Sequence, residues 1–326
     1  MRARLACLLG ILIALTSRVA AQPLPGLPVV AMLCPESCSV RSTESDAPGS
    51  VFQRALRARG HIEGKTLLID TRAAGVSYAE LSRYAERLAR LRSAAILAEG
   101  WAATEAARKA TSTIPIIMVG VPDAERGLVK SLARPGGNVS GVSYPYEAMA
   151  AKQLELLREV VPKAARVGIL LNPANPEHEH VLPAVQAAAH RTGHELTRAE
   201  VRLRSDIAGA VSSLKSAGAD AILVLGDEVL QSGEVLLQAL NYRLPTISLR
   251  PSFVEAGGLM SYGPSQVEIA ERVAFFVDRI LRGASPSSLP VEQPTRYQLV
   301  VNVTTANALG ITILRTVLLR ADRVIE

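Results

Sequence analysis

The stretch RVGILLNPANPEHEHVLPAVQAAAHRTGHELTRAEV, residues 166–201, decides the architecture. It opens with a short aliphatic run at 166–171 and passes through an Asn/Pro-rich loop. It continues as an alanine-rich helical stretch over about 177–192. Gly193 stands where the helix should stop, because a C-terminal cap often needs the left-handed backbone that glycine adopts without strain. A second strand is expected at 194–201. Strand, helix and strand in succession make a βαβ unit, which implies a right-handed crossover and a parallel sheet.

The same rhythm extends in both directions. Upstream, strands are expected at 27–33, 66–71, 94–98, 114–119 and 138–143, with helices at 49–59, 77–91 and 101–111. In the helix at 77–91, Tyr78, Leu81, Ala85 and Leu88 fall on one face. From the helix at 147–161 a second series runs through strands at 166–171, 194–201, 219–225, 245–248 and 258–262. Helices at 177–192, 206–217, 230–242 and 265–282 are interleaved, and a late strand follows at 297–301. The seam falls near 144–148. The predicted fold class is α/β, with two doubly wound parallel-sheet lobes and a central cleft. The expected divisions are a leader at 1–21, an N-terminal lobe at 22–145 and a C-terminal lobe at 146–283. Residues 284–326 would form a crossing segment, the late strand and a C-terminal helix.

Composition agrees with this drawing. The chain has 326 residues, 48% hydrophobic and 20% charged, which suits a folded protein of two domains. Aromatics are only 4%, so the cores must rest on Ala, Leu, Val and Ile, as in buried parallel strands under helices. The formal charge is +6, but Arg2, Arg4 and Arg18 lie in residues 1–21, where no acid stands; setting them aside leaves +3. That mild, scattered excess gives no argument for nucleic acid, and no nucleic-acid partner is expected.

Residues 1–21 read as a cleavable secretory signal: Arg2 and Arg4, an apolar run at 5–15, and the small-residue site Val19-Ala20-Ala21 before Gln22. The apolar run is too short to span a bilayer. A soluble, periplasmic mature protein is expected, as a monomer. Cys34 and Cys38 survive cleavage; an exported compartment permits a disulfide between them, and two free thiols remain the alternative. Their spacing, without a second ligand pair, gives no metal site.

Other motifs carry little chemistry. Gly64-Lys65-Thr66 lacks the upstream glycine of a phosphate-binding loop and precedes a strand rather than a helix. His178, His180, His190 and His194 read as solvated histidines near helix ends rather than metal ligands. No nucleophile elbow is found, and no cofactor or enzyme activity is expected. Open α/β sheets bind ligands beyond the carboxyl ends of their strands. The expected cleft loops are therefore 34–49, 99–103, 120–125, 172–177, 226–230 and 249–253.

Several stretches together resemble one family: IPII at 114–117, GVPD at 120–123, GLV at 127–129 and LARPGGNVSG at 132–141. To these are added KQLELL at 152–157, VPKA at 161–164, LNPANP at 171–176, FVEAGGLMSYG at 253–263 and QPT at 293–295. The chain resembles the ABC-transporter substrate-binding proteins of the type 1 periplasmic-binding fold, in the branch with tryptophan- and tyrosine-type binders. The resemblance implies two lobes that close like a flytrap on a small molecule, an amino acid or small carboxylate, and deliver it to a membrane permease. An exported sensor delivering to a membrane receptor is the alternative. The resemblance departs at Glu99-Gly100-Trp101-Ala102-Ala103, where members commonly carry small residues and Thr-Pro or Ser-Pro. It departs also at 122–127, one residue shorter than usual, and at Leu314-Arg315 in place of Pro-Pro. The first two fall on expected cleft loops, so the ligand does not carry over.

Candidate contacts follow from residue chemistry. Trp101 would stack on a flat ligand or else pack between lobes. Asp227 would pair with an amine or else cap a helix. Arg250 would clamp a carboxylate or else lie on the surface. Asp123 and Tyr262 are further candidates of the same kind.

Overall fold

A computed structural model describes residues 26–35 and 48–326 of the protein. The leader at 1–21 and Cys38 lie outside the described residues.

Five strands form the first sheet: β1 (Val29–Pro35), β2 (Leu68–Val76), β3 (Ala95–Glu99), β4 (Ile116–Pro122) and β5 (Val139–Tyr144). They are all parallel, in the order β2-β1-β3-β4-β5. Because successive side chains on a strand point to opposite faces, the aliphatic runs serve two cores at once. Ala31, Leu33, Ile96, Ala98, Ile116 and Met118 face α2 (Leu81–Arg90) and α3 (Gly100–Ala110). Val30, Met32, Leu97, Ile117 and Val119 face the other way, where α1 (Pro48–Ala58) packs. At Gly141, with φ +135°, a β-carbon would stand 2.3 Å from the Met118 carbonyl oxygen, so only glycine lets β5 lie this close to β4.

After β5 the chain enters the second lobe through α4 (Tyr146–Val160), β6 (Arg166–Leu171), α5 (Pro176–Thr192) and β7 (Glu195–Glu200). It continues with α6 (Ile207–Ser216), β8 (Ala221–Val224), α7 (Gly233–Asn241), β9 (Thr246–Ser248), α8 (Pro251–Glu255) and β10 (Met260–Pro264). The decisive stretch folds as a strand–helix–strand unit, with Gly193 in the left-handed conformation at the end of α5. Seven strands line up in the order β12-β11-β10-β9-β8-β6-β7. β11 (Tyr297–Asn302) runs antiparallel to β10, and the remaining neighbours are parallel.

Helix α9 (Gln266–Leu281) corrects the expected division at 146–283. It follows β10 in sequence but packs on the first sheet, burying Ile269, Val273, Phe276, Val277 and Ile280 against the α1 face. A segment after it runs beside β5: Glu292 N–H donates to the Gly141 carbonyl at 2.9 Å, and Ser143 N–H to the Glu292 carbonyl at 2.9 Å. The chain then returns to the second sheet as β11. It ends there with α10 (Val303–Leu309), α11 (Arg315–Leu318) and β12 (Arg323–Ile325), more structure than the single C-terminal helix expected. Three crossings therefore join the lobes: at 144–146, at 264–266 and between 292 and 297. Among the described residues no helix is long and apolar enough to cross a membrane.

Candidate functional site

Between the lobes lies a cavity of about 390 Å³, a size suited to a small ligand. The C-terminal ends of strands from both sheets open onto it. The N-terminal lobe contributes Pro35, Tyr78, Glu99, Gly100, Val119 and Gly120. The other lobe contributes Asn175, Glu177, Arg204, Asp227, Gln231, Ser232 and Arg250, and Tyr144 stands at the first crossing.

The C-terminal wall is built from the LNPANP loop. Pro173 and Pro176 fix the backbone and remove donors, and the two asparagines fill the remaining needs of the turn. Asn172 Oδ1 accepts from Ala174 N–H at 2.9 Å, and Asn175 Oδ1 accepts from Glu177 N–H at 3.0 Å, which caps α5. Both side-chain amides then donate to Asp227, Asn172 at 3.2 and 3.3 Å and Asn175 at 3.2 Å. Val229 N–H adds a bond at 3.1 Å, and the Tyr78 hydroxyl, from the opposite lobe, donates at 3.3 Å. Asp227 lines the cavity, yet both its oxygens are engaged by protein donors. It caps the local turn and ties the lobes together.

His178 braces this loop from below. Its Nδ1 accepts from Asn172 N–H at 2.7 Å, which leaves the proton on Nε2, 3.3 Å from the Gly226 carbonyl. Burial lowers its pKa and keeps the ring neutral. His178 and His194 are both buried, which corrects the solvated reading: α5 starts beneath the other lobe and ends against its own sheet. Among the described residues no cluster of three or more His, Cys, Asp or Glu side chains is placed to hold a metal ion.

Glu177 was not singled out from sequence. It sits in the first turn of α5, and its Oε2 accepts from Trp101 N–H at 2.8 Å, at the start of α3 in the other lobe. Gly100 precedes that contact with φ +75°, and a β-carbon there would come within 3.0 Å of the same oxygen. Although the residue keeps some exposed surface, its carboxyl is enclosed between the lobes. Burial pushes its pKa up to about 7, against the lowering effects of the Trp101 bond and of Arg250. Burial likewise holds the Tyr144 hydroxyl protonated, with the nearby Glu177 charge as a second cause.

Arg250 lines the cavity at the start of α8, and its guanidinium makes no hydrogen bond or ion pair with any described residue. Gln231 Oε1 and Ser232 Oγ are buried at the same wall without a partner among the described residues.

The other three candidates lie outside the cavity lining. Trp101 turns its ring away and stacks on His180, with centroids 3.6 Å apart and planes 22° apart, because α3 begins against α5. Asp123 adopts a left-handed backbone with φ 43°, and its Oδ1 accepts from Tyr146 N–H at 3.0 Å, so it secures the first crossing. Tyr262, on β10, stacks on Tyr297 at 5.7 Å against the core of the C-terminal lobe. Cys34, buried at the end of β1, is disulfide-bonded.

Two α/β lobes joined by three crossings, with a polar cavity between them, define a binding protein for a small molecule. The family model for ABC transporter substrate binding protein matches residues 41–325, and the chain belongs to that family, whose members bind solutes rather than transform them. The chain is 28% identical over 261 residues to a tyrosine-binding protein of Clostridioides difficile (strain R20291), covering 79% of this chain and 75% of that protein. A conserved domain protein from Vibrio cholerae superposes with a TM-score of 0.82 at 28% identity, covering 91% of this chain and 99% of that one. An ABC domain from Streptococcus pneumoniae in complex with L-Trp superposes at 0.79 with 24% identity, covering 92% and 99%, a likeness of fold.

Proposed function

We propose that this protein is the exported solute-capturing component of an ABC importer. Its two lobes close on one small polar solute, an amino acid or a small carboxylate, and present it to a membrane permease. The observation that carries this reading is a cavity walled by both lobes and bridged by the Tyr78–Asp227 and Trp101–Glu177 bonds. A solute that touches both walls only when they meet shifts the lobes toward the closed arrangement. The tyrosine-binding relative supports an amino acid as the solute class. The mature chain would start at Gln22 and work in the periplasm as a monomer, which N-terminal sequencing of exported protein tests.

The central experiment is a thermal-shift screen of amino acids and small carboxylates, followed by small-angle scattering with each binder. A true solute at a hundredfold excess over its Kd adds about 2.7 kcal/mol of stability and contracts the radius of gyration. A screen with no stabilising compound and no contraction overturns the reading.

A further inference from the structure

Glu99, Glu177, Arg204, Asp227, Glu228 and Arg250 line the cavity, and of these Glu177 and Arg250 stand on one wall without pairing with each other. Glu177 commits Oε2 to Trp101 N–H at 2.8 Å, and its Oε1 accepts from no described residue. The Arg250 guanidinium, on the same cavity, lies beyond ion-pair distance of Glu177 although its charge is felt there. Asp227, by contrast, has both oxygens taken by Tyr78, Asn172, Asn175 and Val229.

We propose that Glu177 receives the ammonium group of the solute while Arg250 takes its carboxylate, so that the solute is a zwitterion rather than a simple carboxylate. The assignment rests on the solute-binding reading above and deepens it. Uncompensated charges in an enclosed site are costly, and a ligand carrying the complementary pair removes both costs at once. Glu177 is also held by a donor from the opposite lobe, so an ammonium bound to its second oxygen engages a carboxylate fixed by closure. Recognition and closure are thereby coupled through one side chain.

The protonation of Glu177 gives this a distinctive signature. The charged and titratable groups around it are Glu99 at the end of β3, Asp227 after β8, Arg250 at the start of α8, and Tyr144 and Tyr146 at the first crossing. Burial, Glu99 and Asp227 raise its pKa, Arg250 lowers it, and the balance lies at about 7. An arriving ammonium must then replace a proton on a carboxyl that is largely neutral at pH 6 and largely ionised at pH 8. Affinity should rise about tenfold between roughly pH 6 and roughly pH 8, with a proton released on binding at the lower pH.

The test is titration calorimetry of the mature protein with the standard L-amino acids and simple carboxylates, in buffers of different ionisation heat at both pH values. Each amino acid that binds is compared with its N-acetyl derivative and with the acid lacking the amine. The expected result is a binder whose N-acetyl and amine-free forms are about a hundredfold weaker, whose affinity follows the stated pH dependence, and whose proton release disappears in Glu177→Gln. N-acetyl or amine-free compounds binding as tightly as the parent overturn the proposal without any variant. So does a Glu177→Gln protein, folded by circular dichroism, that keeps the pH dependence. Binding of simple carboxylates alone removes the role of Glu177 and leaves the solute-binding reading standing, whereas binding of nothing in the panel removes both.

Discussion

The wall of the cleft contributed by the C-terminal lobe and the wall contributed by the N-terminal lobe face the same cavity but differ in chemistry. The former offers Glu177, Arg204, Asp227, Gln231, Ser232 and Arg250, ordered by the doubly capped Asn-Pro loop. The latter offers largely backbone and small side chains, among them Gly100, Ala102, Val119 and Gly120, together with Tyr78 and Glu99. The difference teaches a division of labour. On the proposed reading, recognition belongs to the C-terminal lobe, and the N-terminal lobe supplies a closing surface whose contacts, from Tyr78 and Trp101, are made to the other lobe.

That contrast can be broken by substitution, and the largest effect should come from its foundation. Asp227→Ala leaves the amides of Asn172 and Asn175 and the Val229 N–H without their acceptor. It should cost about 3–5 kcal/mol in chemical denaturation and abolish solute stabilisation. The same wall depends on pH through His178. Its folded pKa is depressed by burial, so the unfolded chain takes up a proton more readily. Its contribution is complete above the unfolded value of about 6.5 and is lost as pH falls below it, which melting curves of the Glu177→Gln protein between roughly pH 8 and roughly pH 5 will register, because the raised Glu177 pKa acts in the opposite direction over that range. Arg250→Ala should leave stability nearly unchanged but weaken a solute that carries a carboxylate by about 2 kcal/mol, some thirtyfold in a binding titration.

Substitutions on the closing wall sharpen the contrast from the other side. Trp101→Ala removes the stack on His180 and should weaken any solute by about 1 kcal/mol, equally for all compounds, because only closure is affected. Tyr78→Phe deletes one interlobe bond and should cost about 0.5–1 kcal/mol in the same titration. Unequal effects of either variant across a solute series would show that this wall also selects.

The sequence made strands such as β1, β4 and β6 legible because their aliphatic runs are short, carry Val or Ile and are bounded by turn residues, and β6 and α5 fall almost where expected; β12 lay hidden in the expected C-terminal helix. The side of the cleft on which α9 packs was not legible. Ile269, Val273, Phe276 and Val277 would suit either core, and nothing in the pattern marks the crossing at 264–266. The loops at the strand ends rightly enclosed Glu99, Gly100, Asn175, Glu177, Asp227 and Arg250, since crossover geometry alone places them. It could not tell which side chains turn inward. Trp101 and Glu177 stand at comparable places, each at the start of a helix, yet one packs on His180 and the other faces the cavity. Tyr78 and Tyr144 were missed because they come from a turn before α2 and from a crossing, outside the strand-end loops. The signal that could have found Glu177 was an acid directly after Pro176 at a helix start that opens onto the cleft.

The placement of α9 has a consequence for how the chain is made. β5 ends at Tyr144, but the helix that covers one face of its sheet begins only at Gln266. A ribosome must therefore synthesise most of the second lobe before the first can seal its core. Until then Met32, Leu97 and Ile117 lack the part of their apolar cover that this helix supplies.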